Sequence, residues 1–195
     1  MEIKYYPLTR NTYNNFEMSF KNCIKKLNEG DIRFLNIKEA GDFKLNKESI
    51  EKIVISFARK IPLRRVLFTR NKDSRALEAI QGQNILLAIF LYSMGKSLGS
   101  NTPIIEYSDL EKIDYDKETL TEFLSKNYDL IDTTYTLKEK DKSYHINLDA
   151  LKEVDFDCIN NKRYIHCSEY QFIADSEEDQ ELMFSIIIDS LYSEY

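Results

Sequence analysis

The stretch Ala76-Leu77-Glu78-Ala79-Ile80-Gln81-Gly82-Gln83-Asn84-Ile85-Leu86-Leu87-Ala88-Ile89-Phe90-Leu91 reads as strand, glycine turn and buried helix. Leu77 to Gln81 has strand character, and the block from Ile85 to Leu91 is apolar on every side, which a surface helix is not. Such a helix belongs at the centre of a core. Its first turn would present the backbone N–H groups of Gln83, Asn84 and Ile85, and a helix start beside a glycine can hold an anion such as phosphate. The same residues equally make an ordinary strand-to-helix connection.

Upstream, Leu63 to Thr69 reads as a strand carrying Arg64 and Arg65, and the turn from Arg70 to Arg75 joins it to Leu77–Gln81 as a hairpin. Asn46 is an N-cap for a helix with Ile50, Ile53, Val54 and Phe57 on one side, ended by Pro62. Ile32 to Ile37 reads as a strand. Before it, Phe16, Phe20, Cys23, Ile24 and Leu27 stand at helical spacing, predicting a helix over Tyr13 to Leu27 that stops at Gly30.

Downstream, Gly95 to Pro103 has the composition of a linker. It divides a module over 1–98, with its N-terminal helix, from an α+β extension over 99–195 packed on it as one compact unit. The extension reads as a strand over Pro103 to Tyr107 and a helix over Lys117 to Tyr128 with Leu120, Phe123 and Leu124 inward. Two hairpins follow, Thr133–Leu137 with Tyr144–Leu148, and Phe156–Ile159 with Arg163–Ile173. Last comes a helix capped by Ser176, with Leu182, Met183, Ile186, Ile187 and Leu191 buried. The fold class is α+β.

The 195 residues suffice for a real core, and the apolar block is about half of what a membrane-spanning helix needs. With no secretory hydrophobic region at the N-terminus, the expected location is cytoplasmic. A net charge of −6 argues against a protein that grips nucleic acid over its whole surface. The charge is uneven, however: Arg59, Lys60, Arg64, Arg65, Arg70, Lys72 and Arg75 cluster against one acid, Asp73. That cluster is either a solvated face or a local basic patch.

Three cysteines (Cys23, Cys158, Cys167) and two histidines (His145, His166) stand in no metal-ligand spacing, so neither a disulfide framework nor a zinc site is expected. His166 and Cys167 are neighbours in a strand-like segment and would point to opposite faces, which rules them out as base and nucleophile on one side. Asp155 and Asp157 would share a strand face and could hold a cation, or form a solvated edge.

The run from Lys47 to Leu91 resembles the N-terminal module of GmrSD-type modification-dependent restriction proteins, itself similar in fold to ParB and sulfiredoxin. The shared pattern is the helix with Ile50, Glu51 and Ile53, then Ile61-Pro62-Leu63, a basic hairpin, and the strand-glycine-glutamine-helix passage. Where that family has Ile-Asp-Gly-Gln-Gln-Arg-Leu, this chain has Ile80-Gln81-Gly82-Gln83-Asn84-Ile85-Leu86, so Gln81 replaces the acid and Ile85 the arginine. Upstream, Ala40-Gly41-Asp42-Phe43-Lys44-Leu45 keeps only the aromatic and apolar spacing of the family's Gln-Arg-Pro-Tyr-x-Trp run. The resemblance covers roughly residues 32 to 95. It implies a ParB/sulfiredoxin-like core of short strands and helices, extended here by a C-terminal hairpin and helix, and nucleotide binding or hydrolysis coupled to DNA restriction. An isoleucine in place of the arginine removes the charge-assisted bidentate contacts that make such a phosphate site strong.

The leading expectation is therefore a non-catalytic binding or interaction protein on a degenerate nucleotide-binding module. Its phosphate ligand, from a nucleotide or nucleic acid, would lie against Gly82, Gln83 and Asn84 with charge from Arg64, Arg65, Arg70 or Arg75. A protein partner is also open, and no membrane is expected. Two alternatives stand beside it: a nucleoside-triphosphate hydrolase using a hairpin arginine, linked to DNA restriction or phage defence, and a phage or mobile-element structural protein.

Overall fold

Seven residues that side-chain spacing assigns to a helix, Tyr13 to Ser19, form a strand, because their backbone has a partner some 150 positions away. The computed structural model describes residues 10–35, 44–58, 61–70, 74–101, 104–110, 112–133, 135–139, 142–146 and 164–173, together with 182 and 186. Strand β1 (Arg10–Ser19) runs in unbroken antiparallel register with Tyr164–Ile173. Phe16 and Met18 alternate toward the buried side, and Tyr13, Asn15 and Glu17 toward the other. This corrects the helix expected over Tyr13 to Leu27. Helix α1 (Phe20–Glu29) begins only after Ser19, whose hydroxyl accepts the Asn22 N–H at 3.3 Å, and it ends at Gly30 in the left-handed conformation.

Strand β2 (Ile32–Phe34) follows, then β3 (Lys44–Asn46) and α2 (Lys47–Ala58), where Asn46 caps as expected by accepting the Ser49 N–H at 2.8 Å. The expected hairpin forms from β4 (Val66–Arg70) and β5 (Leu77–Gln81), which leads through Gly82 into α3 (Gln83–Ser93). Next come β6 (Lys96–Leu98), β7 (Ile104–Glu106), α4 (Tyr107–Leu110), α5 (Leu120–Asn127) and β8 (Leu130–Asp132). The chain continues through β9 (Tyr135–Glu139), β10 (Lys142–Ile146) and β11 (Tyr164–Ile173).

Five strands form the main sheet in the order β1-β11-β4-β5-β2. The β1–β11 and β4–β5 pairs are antiparallel, whereas β11–β4 and β2–β5 are parallel, so helices and a mixed sheet make the α+β class. Because β11 lies between β1 and β4, residues 1–98 do not complete this sheet by themselves. The segment read as a linker is structured as well: β6 pairs with β8, Ser97 and Leu98 are buried, and the Gly99 N–H donates to the Asp129 carbonyl at 2.7 Å.

Alternation along the strands sends Met18, Ile165, Cys167, Val66, Phe68, Leu77, Ala79 and Ile32 into one core with the apolar sides of α1, α2 and α3. Every side chain of α3 from Ile85 to Tyr92 is buried, as its sequence requires. Phe20, Phe57 and Tyr92 bring the three helices together, with ring centroids 5.1 Å apart for Phe20–Phe57 and 6.4 Å for Phe20–Tyr92. Downstream, α5 turns Leu120, Phe123 and Leu124 inward, and β9 pairs with β10 as the expected hairpin. Residues 156–159 and Ser176, Met183, Ile187 and Leu191 lie outside the described residues. Leu182, expected to be buried, is 38% exposed, and Ile186 is half-buried. Among the described residues no helix is long and apolar enough to cross a membrane.

Candidate binding cleft

Gly82 adopts φ +81°, and a Cβ there would sit 3.1 Å from Val66 Cγ2 and 3.2 Å from Val66 Cα. Close crossing over β4 and a left-handed backbone both demand glycine. The Ile85 N–H, expected to be open, donates to the Gly82 carbonyl at 3.0 Å and to the Asn84 carboxamide oxygen at 2.9 Å. Gln83 folds its amide back onto the Ala79 carbonyl at 3.0 Å. Only the N–H groups of Gln83 and Asn84 remain for the anion expected there.

Arg65, Arg70 and Arg75 do not converge on this turn. Arg70 faces Leu77 across the hairpin, whereas Leu67 faces Gln81, which puts Arg70 about 14 Å from the Gly82 end and Arg75 farther still. An antiparallel hairpin keeps its turn and its open ends apart. Arg64 and Arg65 precede β4 and are exposed. Arg65 donates to the Tyr13 hydroxyl and Ser168 Oγ, each at 3.3 Å, and to the Asn15 carboxamide, on the sheet side away from the helices. The seven expected ligand residues thus fall into three groups.

The Arg70 group opens on a cleft of about 470 Å³ between α1 and the sheet. Its floor is Phe16 and Met18 from β1 with Leu77 from β5, and Asn22 and Lys26 reach over it from α1. At its upper end Arg70 Nε and NH2 donate to the two oxygens of Glu169 at 2.7 and 2.9 Å, a bidentate pair. Glu169 has only 9% of its side chain exposed, and Gln171 adds a further donor at 2.6 Å. The Arg70 hydrogen bonds hold the Glu169 carboxyl below the usual carboxylate range against the opposing effect of burial. The third Arg70 nitrogen donates to the Arg75 carbonyl at 3.0 Å.

That last bond clamps the one non-glycine residue with positive φ among the described residues, Arg75 at +58°. A left-handed residue of this kind costs about 1–2 kcal/mol. Arg75 lines the cleft and is exposed, and its guanidinium has no partner among the described residues. The strained backbone is thus held in place by the part-buried Arg70–Glu169 pair beside the open cleft. The sequence named Arg70 and Arg75 but missed Glu169. Its signal was an acid in the inward-facing alternation Ile165, Cys167, Glu169 of a strand, a place that calls for a cation.

The two described thiols are poor nucleophiles. Cys23 and Cys167 are buried and unpaired, and burial pushes both up, Cys167 to about 12. His166 points the other way, as expected, with Nδ1 3.2 Å from Glu17 on the surface. Asp155 and Asp157 lie outside the described residues.

The Arg70–Glu169 pair gives a pH prediction. Because the folded-state pKa of Glu169 is depressed, its stabilisation is present above the unfolded value near 4.3 and is lost as pH falls through the folded value. Glu169→Gln should therefore lose about 1–3 kcal/mol at pH 7, and the gap to the wild type should close progressively below about pH 4. Urea unfolding across that range measures it, and a gap independent of pH would contradict the assignment.

Set against protein-family models, curated proteins and solved structures, the chain has no match.

Proposed function

We propose that this chain is a non-catalytic binding protein, on a degenerate GmrS/ParB-like module, that receives a small anionic ligand at the Arg75 end of the cleft. One observation carries the reading: a guanidinium without a partner among the described residues, on a strained backbone, is held at a cleft mouth by the Arg70–Glu169 pair. Such a group offers bidentate, charge-assisted hydrogen bonds to phosphate or carboxylate. Binding is favoured over nucleotide hydrolysis by the position of Arg70. A hydrolase built on the glycine turn needs a hairpin arginine to reach Gly82, and Arg70 is committed to Glu169 at the opposite end of the hairpin.

Arg75→Gly tests this with two readouts. Relief of the left-handed strain should outweigh the added chain entropy of glycine, leaving the unliganded variant about 0.5–1 kcal/mol more stable. In a thermal-shift panel of ATP, GTP, CTP, UTP, inorganic phosphate and small carboxylates, a ligand at a hundred times its Kd adds about 2.7 kcal/mol to the wild type. That corresponds to roughly 5–10 °C for a chain of this size. The variant should show no shift. A ligand that stabilises both proteins equally, or a variant less stable than the wild type, overturns the proposal.

A further inference from the structure

We propose that β1 is a docking edge for a second copy of this chain: two β1 strands pair antiparallel across a two-fold axis at Asn15 and join two five-stranded sheets into one. The strand itself motivates this. β1 ends the sheet, so one row of its backbone N–H and C=O groups has no ladder partner among the described residues. It is ten residues long, about 33 Å, in unbroken register with β11, whereas most strands have about five or six residues. Proteins that stay single blunt such an edge with proline, lysine, a bulge or a short strand. The stretch Arg10–Ser19 has no proline, no lysine and no bulge. Thr12, Tyr13, Asn14 and Asn15 are exposed in succession, so both faces of the strand are open there.

Charge chooses the occupant and the register. Facing residues of an antiparallel pair share a sheet face, so the axis must pass through a residue rather than between two. With the axis at Asn15, residues 11–19 of the two copies pair, and Tyr13 of one copy faces Glu17 of the other. Arg65 lies at that place. Its NH1 donates to the Tyr13 hydroxyl, the Asn15 carboxamide and Ser168 Oγ, while its Nε and NH2 have no acceptor among the described residues. Glu17, 56% exposed, meets the exposed His166 imidazole and nothing else among the described residues. Each copy therefore offers a carboxylate to the guanidinium of the other, and the two-fold axis makes the contact twice. An axis at Asn14 pairs as many residues but sets Glu17 opposite Asn11, away from Arg65. On the helix side of the sheet, the axis at Asn15 sets Thr12 against Met18 and Asn14 against Phe16, so no like charges meet. An unrelated extended peptide could fill the same ladder, but nothing would make its charges reciprocal.

The test is analytical ultracentrifugation of the full chain, with amide hydrogen exchange read by mass spectrometry at the same concentrations. From about 1 to about 100 μM the chain should pass from monomer to dimer, and exchange across residues 10–19 should slow as it does. Thr12→Lys points a charge at Met18 of the other copy and should leave a monomer over the whole range. Glu17→Arg sets cations against each other and should raise the dimer Kd about tenfold or more. Adding Arg65→Glu to it restores the pair with its signs exchanged and should recover most of that loss. All three side chains are exposed, so the variants keep the fold, which circular dichroism checks. A chain that stays monomeric over the whole range overturns the inference. So does a dimer that Thr12→Lys and Glu17→Arg leave intact, one whose β1 exchange is unchanged, or a charge exchange that recovers nothing. A monomer whose β1 amides slow only when random extended peptides are added overturns it in favour of a peptide at the same edge.

Discussion

Gly30→Ala is expected to destabilise the fold by about 2–5 kcal/mol, the sum of two independent costs. The first is conformational. Gly30 ends α1 at φ +79°, where an L side chain costs about 1–2 kcal/mol. The second is steric, since a Cβ at this position would lie 2.6, 2.7 and 2.9 Å from Cδ1, Cγ and Cβ of Tyr115. That ring cannot simply swing aside. The Arg33 guanidinium stacks 5.3 Å from its centroid and is itself tied back to the Gly30 carbonyl by a 3.0 Å hydrogen bond. The Tyr115 hydroxyl is buried without a hydrogen-bond partner among the described residues, and burial pushes the phenol up to about 12. At roughly 2–4 °C per kcal/mol the expected fall in Tm is on the order of 10 °C.

Gly82→Ala separates the two contributions. Gly82 has nearly the same φ, +81°, but its nearest contact is a methyl of Val66 at 3.1 Å, so the steric share is smaller. Urea unfolding of both variants should rank Gly30→Ala as the more damaging. A loss below about 1 kcal/mol at Gly30 would mean that Tyr115 yields freely, contrary to its packing.

What the sequence revealed of this fold divides by the range of the interactions involved. Helix α3 announced itself because seven consecutive apolar residues need no partner to be read as buried. The β4–β5 hairpin and the Asn46 cap were legible for the same reason, being set by residues within a few positions of one another. Strand β1 was not, since its identity depends on β11, and Phe16 only mimics the helical stripe of Phe20, Cys23 and Leu27 across a strand-to-helix junction. The local clue was Ser19, three residues before Asn22, in the position of an N-cap. Likewise the small residues between Gly95 and Pro103 suggested a linker. At Gly99 the smallness answers instead to Asp129, against which a side chain would collide, and at Gly95 to a φ of +68°.

The site followed the same rule. Arg70 and Arg75 could be named from a basic turn, and Gly82 from a strand-to-helix turn, but joining them needed the direction of the hairpin in space. Glu169, which fixes Arg70 and through it Arg75, is about a hundred positions away and paired by a parallel register that no local pattern encodes. At Arg75 the backbone would be better served by glycine, and the anion site proposed above would supply the reason for an arginine there.

Phe20→Ala should have an effect comparable to that at Gly30, about 3–5 kcal/mol, and it also decides where α1 begins. Phe20 is the first residue of α1 and 2% exposed. Its ring meets Phe57 of α2 and Tyr92 of α3, which themselves stand edge to face at 6.4 Å, so its removal leaves a cavity at the point where three helices join. Phe20→Leu retains most of the volume and should lose less than about 1.5 kcal/mol. A double-mutant cycle with Tyr92→Leu should return a coupling of about 0.5–1.5 kcal/mol for the aromatic pair. The contrast with Phe16 is the sharper measurement. In a single helix over Tyr13 to Leu27, Phe16 would share the buried stripe of Phe20, and the two alanine variants would be equally damaging. In the strand-then-helix arrangement Phe16 is half-buried, stacks on Phe68 at 6.3 Å and floors the cleft, so Phe16→Ala should lose only about 1–2 kcal/mol. Equal losses at the two positions would restore the helix and dissolve the β1 wall of the cleft with it.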